Sequence, residues 1–119
     1  MKKTVVLGAS PNTSRYSNRV VKRLISNGYE AVPIGIRKGI IEGIEIITEM
    51  PFVRNVHTIT LYLNPERQKP QYDYIFNLQP ERIIFNPGTE NPELMRLANE
   101  RGIEVEVACT LVLLSVGEY

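Results

Sequence analysis

An α/β fold is what the sequence predicts: three layers, built on a doubly wound parallel sheet of about five strands with helices on both faces. Two observations carry the expectation. Short β-branched or apolar runs alternate with stretches of helical periodicity along the whole chain. Their boundaries carry turn and cap signals, with glycines at 8, 28, 35 and 102 and the pairs Asn64-Pro65 and Asn91-Pro92. Alternation of this kind implies parallel strands joined by right-handed crossovers. A chain of 119 residues has room for one such domain, so residues 1–119 are read as a single unit.

The elements follow in order. Thr4 to Leu7 is a short strand closed by Gly8. A helix starts near Tyr16 or Ser17, with Val20, Val21, Leu24 and Ile25 on one face and Gly28 as its stop. Tyr29 to Ile34 is the second strand, closed by Gly35. A turn-rich stretch follows, with a short strand expected at Glu45 to Ile47 and a helical turn or two at Met50 to Arg54. His57 to Leu63 reads as a buried strand. Asn64-Pro65 caps a helix expected to reach about Leu78, its start delayed by Pro70. Arg82 to Phe85 is a strand. Asn91-Pro92 caps a helix with Leu94, Met95, Leu97 and Ala98 on its apolar side. Ile103 to Val107 is the last strand, and Thr110 to Ser115 a short closing helix.

Composition narrows the function classes. The chain is 43% hydrophobic and 23% charged, as globular proteins are. Fourteen basic against thirteen acidic side chains leave a net charge of +1, so no global charge points to nucleic acid or an acidic membrane. No stretch approaches the roughly 20 apolar residues of a membrane span. Val5-Val6-Leu7 is too short for a signal-peptide core. A single cysteine, Cys109, excludes an internal disulfide and suits a cytoplasmic location.

In parallel α/β sheets, ligands bind beyond the carboxyl ends of the strands, near the reversal of strand order. That rule selects Gly8 to Ser17, Gly35 to Gly39, Asn64-Pro65, Asn86 to Asn91 and the surroundings of Cys109. The first of these, GASPNTSRYS, joins a strand to a helix start, where free N–H groups and the helix dipole favour an anion. Gly8 permits a tight turn, and Ala9 and Ser10 permit close approach. Thr13, Ser14 and Ser17 offer hydroxyls, and Arg15 adds a forked cation. The loop is therefore expected to hold phosphate. Ser10 replaces the second glycine of the GxGxxG dinucleotide fingerprint. The second strand ends without the acid that NAD sites place there; Arg37 and Lys38 stand nearby instead. Two cations suit a ribose with an extra phosphate, as in NADP or coenzyme A.

The run Gly8-Ala9-Ser10-Pro11, then Arg15-Tyr16-Ser17 and Asn27-Gly28-Tyr29, resembles the small single-domain CoA-binding proteins. Val32-Pro33-Ile34 and Phe85-Asn86-Pro87-Gly88-Thr89-Glu90 extend the match over nearly the whole chain. That family is Rossmann-like and similar to the CoA-binding N-terminal domain of the succinyl-CoA synthetase α subunit. The resemblance implies that Gly8, Ala9 and Ser10, with Arg15, Tyr16 and Ser17, meet the pyrophosphate. It sets Gly35, Arg37 and Lys38 at the adenosine and its 3′-phosphate. Tyr62, Leu63 and Asn64 would line the adenine side, and Asn86, Pro87, Gly88 and Thr89 would border the pantetheine arm. The chain departs from the family at Ile34-Gly35-Ile36, where Val-Asn-Pro is common, and at Cys109-Thr110, where Cys-Pro is common.

Little in the sequence speaks for catalysis. His57, the only histidine, opens a core strand and is read as structural. Cys109 is read as a partly buried thiol without a histidine partner. Glu90, Glu93 and Glu100 are read as helix-start and surface charges. No cluster has metal-ligand spacing. The expected function is binding of CoA or an acyl-CoA without chemistry of its own, as a homodimer or with a partner enzyme subunit. A minimal NADP-binding oxidoreductase and a CoA-binding subunit of an acyl-CoA ligase complex stay open as alternatives.

Overall fold

The structure is a computed structural model that describes residues 2–119. The chain runs β1 (Thr4–Leu7), α1 (Tyr16–Ser26), β2 (Ala31–Ile34), β3 (Ile40–Ile41), β4 (Ile44–Glu45), β5 (Thr58–Leu61), α2 (Pro65–Gln68) and α3 (Tyr72–Asn77). It continues through β6 (Arg82–Phe85), α4 (Pro92–Glu100), β7 (Glu104–Val107) and α5 (Thr110–Ser115). Five strands form one parallel sheet in the order β2-β1-β5-β6-β7. β3 and β4 form a separate antiparallel hairpin.

Side-chain alternation divides the core between the two faces of this sheet. Val5, Leu7, Ile59, Leu61, Ile83 and Phe85 pack with Ile75 of α3, Leu78 just after it, and Leu94 and Ala98 of α4. Val6 and Ile84 pack with Val20, Val21 and Leu24 of α1 and Leu114 of α5, with Ile41 and Ile46 from the hairpin region closing the edge. β1, β5 and β6 are buried throughout, as central parallel strands covered on both faces must be.

Local chemistry explains the element ends. α1 stops in a Schellman turn: Gly28 (φ 84°) donates to the Ile25 carbonyl at 3.0 Å and Tyr29 to the Leu24 carbonyl at 2.9 Å. The Tyr29 N–H is thereby occupied, so β2 begins at Ala31 rather than at Tyr29. The expected strand at Glu45 to Ile47 is divided. Ile44–Glu45 pairs back onto Ile40–Ile41, while Ile47 alone bridges Ile34 in parallel. The helical turn expected at Met50 to Arg54 is not formed. Pro51 biases Met50 away from the α region, and Asn55 takes a left-handed φ of 60°. The helix expected from Asn64 to Leu78 is broken into α2, a 3-10 turn (Lys69–Gln71) and α3. Pro70 has no N–H for the i−4 carbonyl, and its ring crowds that position.

Two asparagines cap helices as the sequence predicts. The Asn64 side chain accepts from the Arg67 N–H at 2.9 Å, and that of Asn91 from the Leu94 N–H at 3.3 Å. Asn91 does more, because its buried amide donates to Gln68 Oε1 and to the Tyr72 hydroxyl, both at 2.9 Å. Asn64→Ala should therefore cost about 1 kcal/mol. Asn91→Ala should cost roughly 2–4 kcal/mol, because it also leaves buried partners unpaired. Urea denaturation midpoints of the two variants would check the order; an equal loss would remove the internal role given to Asn91.

Candidate functional site at the carboxyl ends of the strands

The sheet reverses direction between β1 and β5. The chain steps outward from β1 to β2 and the Ile47 bridge, then crosses back to place β5 against β1. The loops after β1 and β5 flank this switch point, where α/β sheets form their ligand crevice.

At the end of β1, Gly8 takes φ 100°. A Cβ there would lie 2.9 Å from the Tyr62 carbonyl carbon and oxygen, so the two loops meet backbone to backbone. Gly35 is held similarly: a Cβ on it would collide with the Ala9 carbonyl oxygen. Gly39 packs against Pro11 with the same economy of space. The loops after β1, β2 and β5 are thus one fused rim. The N–H groups of Gly8 and Ala9 both donate to the Ile34 carbonyl at 2.9 Å. These two residues shape the loop, and their donors are already occupied.

The donors still open lie farther along. Ser10 Oγ accepts from the Asn12 N–H at 3.1 Å, which leaves its own O–H to donate outward. Ser14 Oγ donates to Asn12 Oδ1 at 2.8 Å and so is occupied within the loop. The first-turn N–H groups of Tyr16 and Ser17 have no carbonyl one turn back in α1. Arg15 stands just before them, exposed and without an ion-pair partner among the described residues. Ser17 is buried. Asn18 was not singled out in the sequence, yet it is only 1% exposed and ties the loop to the helix by donating to the Ser10 carbonyl at 2.9 Å. Its Oδ1 has no partner. A polar residue one turn before Val21, on the face α1 buries, was the available signal.

Arg37 and Lys38 are exposed on the turn after β2, between the exposed side chains of Ile36 and Ile40. Tyr62 is half-buried, and its phenol is pushed up first by burial and then by the neighbouring Cys109. Leu63 is half-buried against the core. Asn64 is exposed, its side-chain oxygen occupied by the α2 cap.

The loop after β6 divides in two. Pro87 and Gly88 form its exposed crest, whereas Asn86 and Thr89 are buried. Asn86 Nδ2 donates to Thr60 Oγ1 at 2.6 Å and to the Leu61 carbonyl at 2.9 Å. Its Oδ1 accepts from the N–H and hydroxyl of Thr110, both at 2.9 Å. One carboxamide therefore joins β5, β6 and the start of α5. Gln68 extends the network: its Nε2 donates to the Leu63 and Thr89 carbonyls at 2.7 Å each. Sequence reading missed Gln68, Thr60 and Thr110, because a buried polar network has no periodic signature.

The family profile described as a CoA binding domain matches residues 2–115. The chain belongs to this family. The CoA-binding domain is also similar to solved structures. A crystal structure of an uncharacterized protein has 50% identity and a TM-score of 0.98, covering 100% of this chain and 98% of that one. A Thermus thermophilus protein has 22% identity and a TM-score of 0.85, covering 99% and 90%. A conserved hypothetical protein from Pyrococcus furiosus has 25% identity and a TM-score of 0.77, covering 89% and 92%. The Thermus likeness bears on the fold alone. A search of curated proteins finds no match.

A separate cleft lies elsewhere on the domain. It has a volume of about 710 Å³ at the amino ends of the strands and is lined by His57, Phe76, Glu81, Arg101 and Glu104 among others. No group of three potential metal ligands occurs among the described residues. No helix there is long and apolar enough to cross a membrane. His57 lies within hydrogen-bond distance of Thr58 Oγ1, at 2.7 Å from Nδ1. Its pKa is lowered from 6.5, first by burial and then by Arg82 and Lys2 against the opposing pull of Glu81 and Glu104.

Two outcomes follow from these positions. Asn86→Ala strands the Thr110 N–H and the Leu61 carbonyl in a dry layer, and should lower stability by about 2–4 kcal/mol in chemical denaturation. A loss under half a kilocalorie, at the scale of ordinary surface substitutions, would mean that water replaces the carboxamide. For His57, the unfolded chain binds the proton more readily than the folded one. Its contribution is complete above about pH 7 and is lost as pH falls through the depressed folded pKa. His57→Gln should flatten the stability profile between about pH 7.5 and 5. A profile of unchanged slope would assign the acid sensitivity to other groups.

Proposed function

We propose that this domain binds CoA or an acyl-CoA across the fused rim and performs no chemistry of its own. Membership of a CoA-binding family supports coenzyme A as the small-molecule ligand in general terms. The observation that carries the reading is the β1–α1 loop at the switch point. It brings open first-turn N–H groups, the Ser10 hydroxyl and an unpaired Arg15 beside a basic turn.

In this reading the pyrophosphate rests on Ser10 and the N–H groups of Tyr16 and Ser17, with Arg15 closing over it. Gly8, Ala9 and Gly35 contribute shape, because no side chain fits between their loops. Arg37 and Lys38 take the 3′-phosphate. Tyr62, Leu63 and Asn64 form the adenine side. The pantetheine arm passes the crest of Pro87 and Gly88, which Asn86 and Thr89 hold from behind.

The absence of chemistry is argued from placement. Cys109 is partly buried before α5 at the rim. His57 precedes β5 at the other end of the sheet, so that about 13 Å of strand length and two strand spacings lie between it and Cys109. A thiol nucleophile needs a base within hydrogen-bond reach, and the only histidine is not placed to serve.

The 3′-phosphate tests the reading. A phosphomonoester brings up to about two negative charges and three acceptor oxygens. CoA should bind about tenfold or more tightly than 3′-dephospho-CoA, the equivalent of roughly 1.4 kcal/mol from charge-assisted contacts. Changing Arg37 and Lys38 together to Ala should shrink the preference, and added salt should shrink it in the wild type. Arg15→Ala should weaken both ligands by about 1–3 kcal/mol. Calorimetric titrations on folded variants give all of these values. Equal affinities for the two ligands on the wild type would make the basic turn a solvated loop. Preference for NADP over CoA would favour a small oxidoreductase instead.

A further inference from the structure

Arg15 at the N-cap of α1 and Arg19, Lys22 and Arg23 within it are four cations at helical spacing on one stripe, of which Arg15 belongs to the rim. Neither α1 nor α5 carries an acidic residue. None of the four cations has an ion-pair partner among the described residues. A net charge of +1 for the whole chain conceals this local excess. Three of them, Arg19, Lys22 and Arg23, form one wall of a groove of about 450 Å³, and Leu111, Val112 and Ser115 of α5 form the other. The apolar wall is open to solvent: Val112 is 54% exposed, and Val116, one turn on, is 61% exposed.

We propose that the α1–α5 groove docks an acidic amphipathic helix of a partner protein. The two walls select that chemistry. Carboxylates spaced along one side of a helix would meet the cationic stripe, and apolar side chains beside them would cover Leu111 and Val112. Single-stranded nucleic acid asks for stacking platforms, and the groove walls hold no aromatic side chain. The groove uses side chains outside the rim assigned to CoA, so partner docking and CoA binding are separable.

Selection from a random peptide library against the whole chain tests the proposal. Enriched peptides should combine Glu or Asp with Leu, Ile or Val at helical spacing. The charge reversal R19E/K22E/R23E should weaken them by about tenfold or more, and rising salt should weaken them in the wild type. Val112→Asp, a single exposed change, should weaken them without touching the cations and covers the case where the triple variant misfolds. CoA titration of each variant reports the rim independently, so failure of one reading leaves the other intact. Enrichment of peptides without acidic residues, no enrichment, or equal binding by the wild type and the folded variants would overturn the proposal. Groove-dependent binding of oligonucleotides or anionic vesicles in place of peptides would do so too, as would self-association lost in R19E/K22E/R23E.

Discussion

The carboxyl end of β1 is confined on both sides by other backbones, and the rim is arranged around that confinement. Gly8 lies against the Tyr62 carbonyl and Ala9 against Gly35. Contacts this close leave no space for a Cβ, so none of the three loops can press closer to another. The Ile34 carbonyl adds the directional part by accepting from both Gly8 and Ala9. A loop that is to hold a phosphate, as proposed, would gain from such close packing. Its donors are oriented before the ligand arrives, and less conformational entropy is lost on binding. The residues that make the loop a binding feature and the residues that would touch an anion are therefore different sets.

The helix layer of α1 and α5 shows a second constraint. Its apolar middle is closed at both ends by buried polar clusters. At the carboxyl end stands the Asn86 carboxamide with Thr60 and Thr110. At the amino end stands Arg82, whose guanidinium donates to Thr58 Oγ1 at 3.0 Å and to the Tyr119 carbonyl at 3.1 Å, with Glu106 at 3.3 Å. Its guanidinium also lies 4.5 Å from the Tyr119 ring centre. Burying a polar group costs free energy unless its partners are supplied, so each cluster favours the arrangement that pairs most of its groups, although Arg82 Nη2 has no partner. The apolar middle supplies most of the driving force. The two polar ends select the register in which it is applied.

These two constraints also explain what the sequence disclosed and what it withheld. Periodicity and caps located α1, α4, β1 and β6 almost to the residue, because each has an uninterrupted local pattern. β2 and β5 came out shorter than their apolar runs. The strand ends where pairing ends, and pairing depends on neighbours distant in sequence. The region from Gly39 to Arg54 was the least legible. Its elements are two residues long, and Ile47 makes a strand contact through one residue alone. At the rim, the loops themselves were legible from strand–helix alternation. The division between exposed Pro87 and Gly88 and buried Asn86 and Thr89 was not, since four adjacent small or polar residues look alike until their partners are known.

Charge shows the same difference between a total and a placement. A nearly neutral chain gave no reason to expect a cationic surface. Yet α1 carries three basic residues and no acid, with Arg15 at its N-cap as a fourth cation, because its buried face takes the valines and leucine and leaves its solvent face for long polar side chains. Acidic residues gather elsewhere, on α4 and β7 and in the hairpin turns. One end of that cationic stripe is Arg15, beside the open N–H groups of the first turn; the other end lies alongside the valines of α5. The helix dipole strengthens an anion's attraction only within the first turn. In the proposed sites Arg15 would therefore act on a different ligand from Arg19, Lys22 and Arg23, although all four share one stripe. A single amphipathic helix can in this way present two anion-seeking surfaces, one at its tip and one along its side, with the apolar neighbour α5 present only at the second.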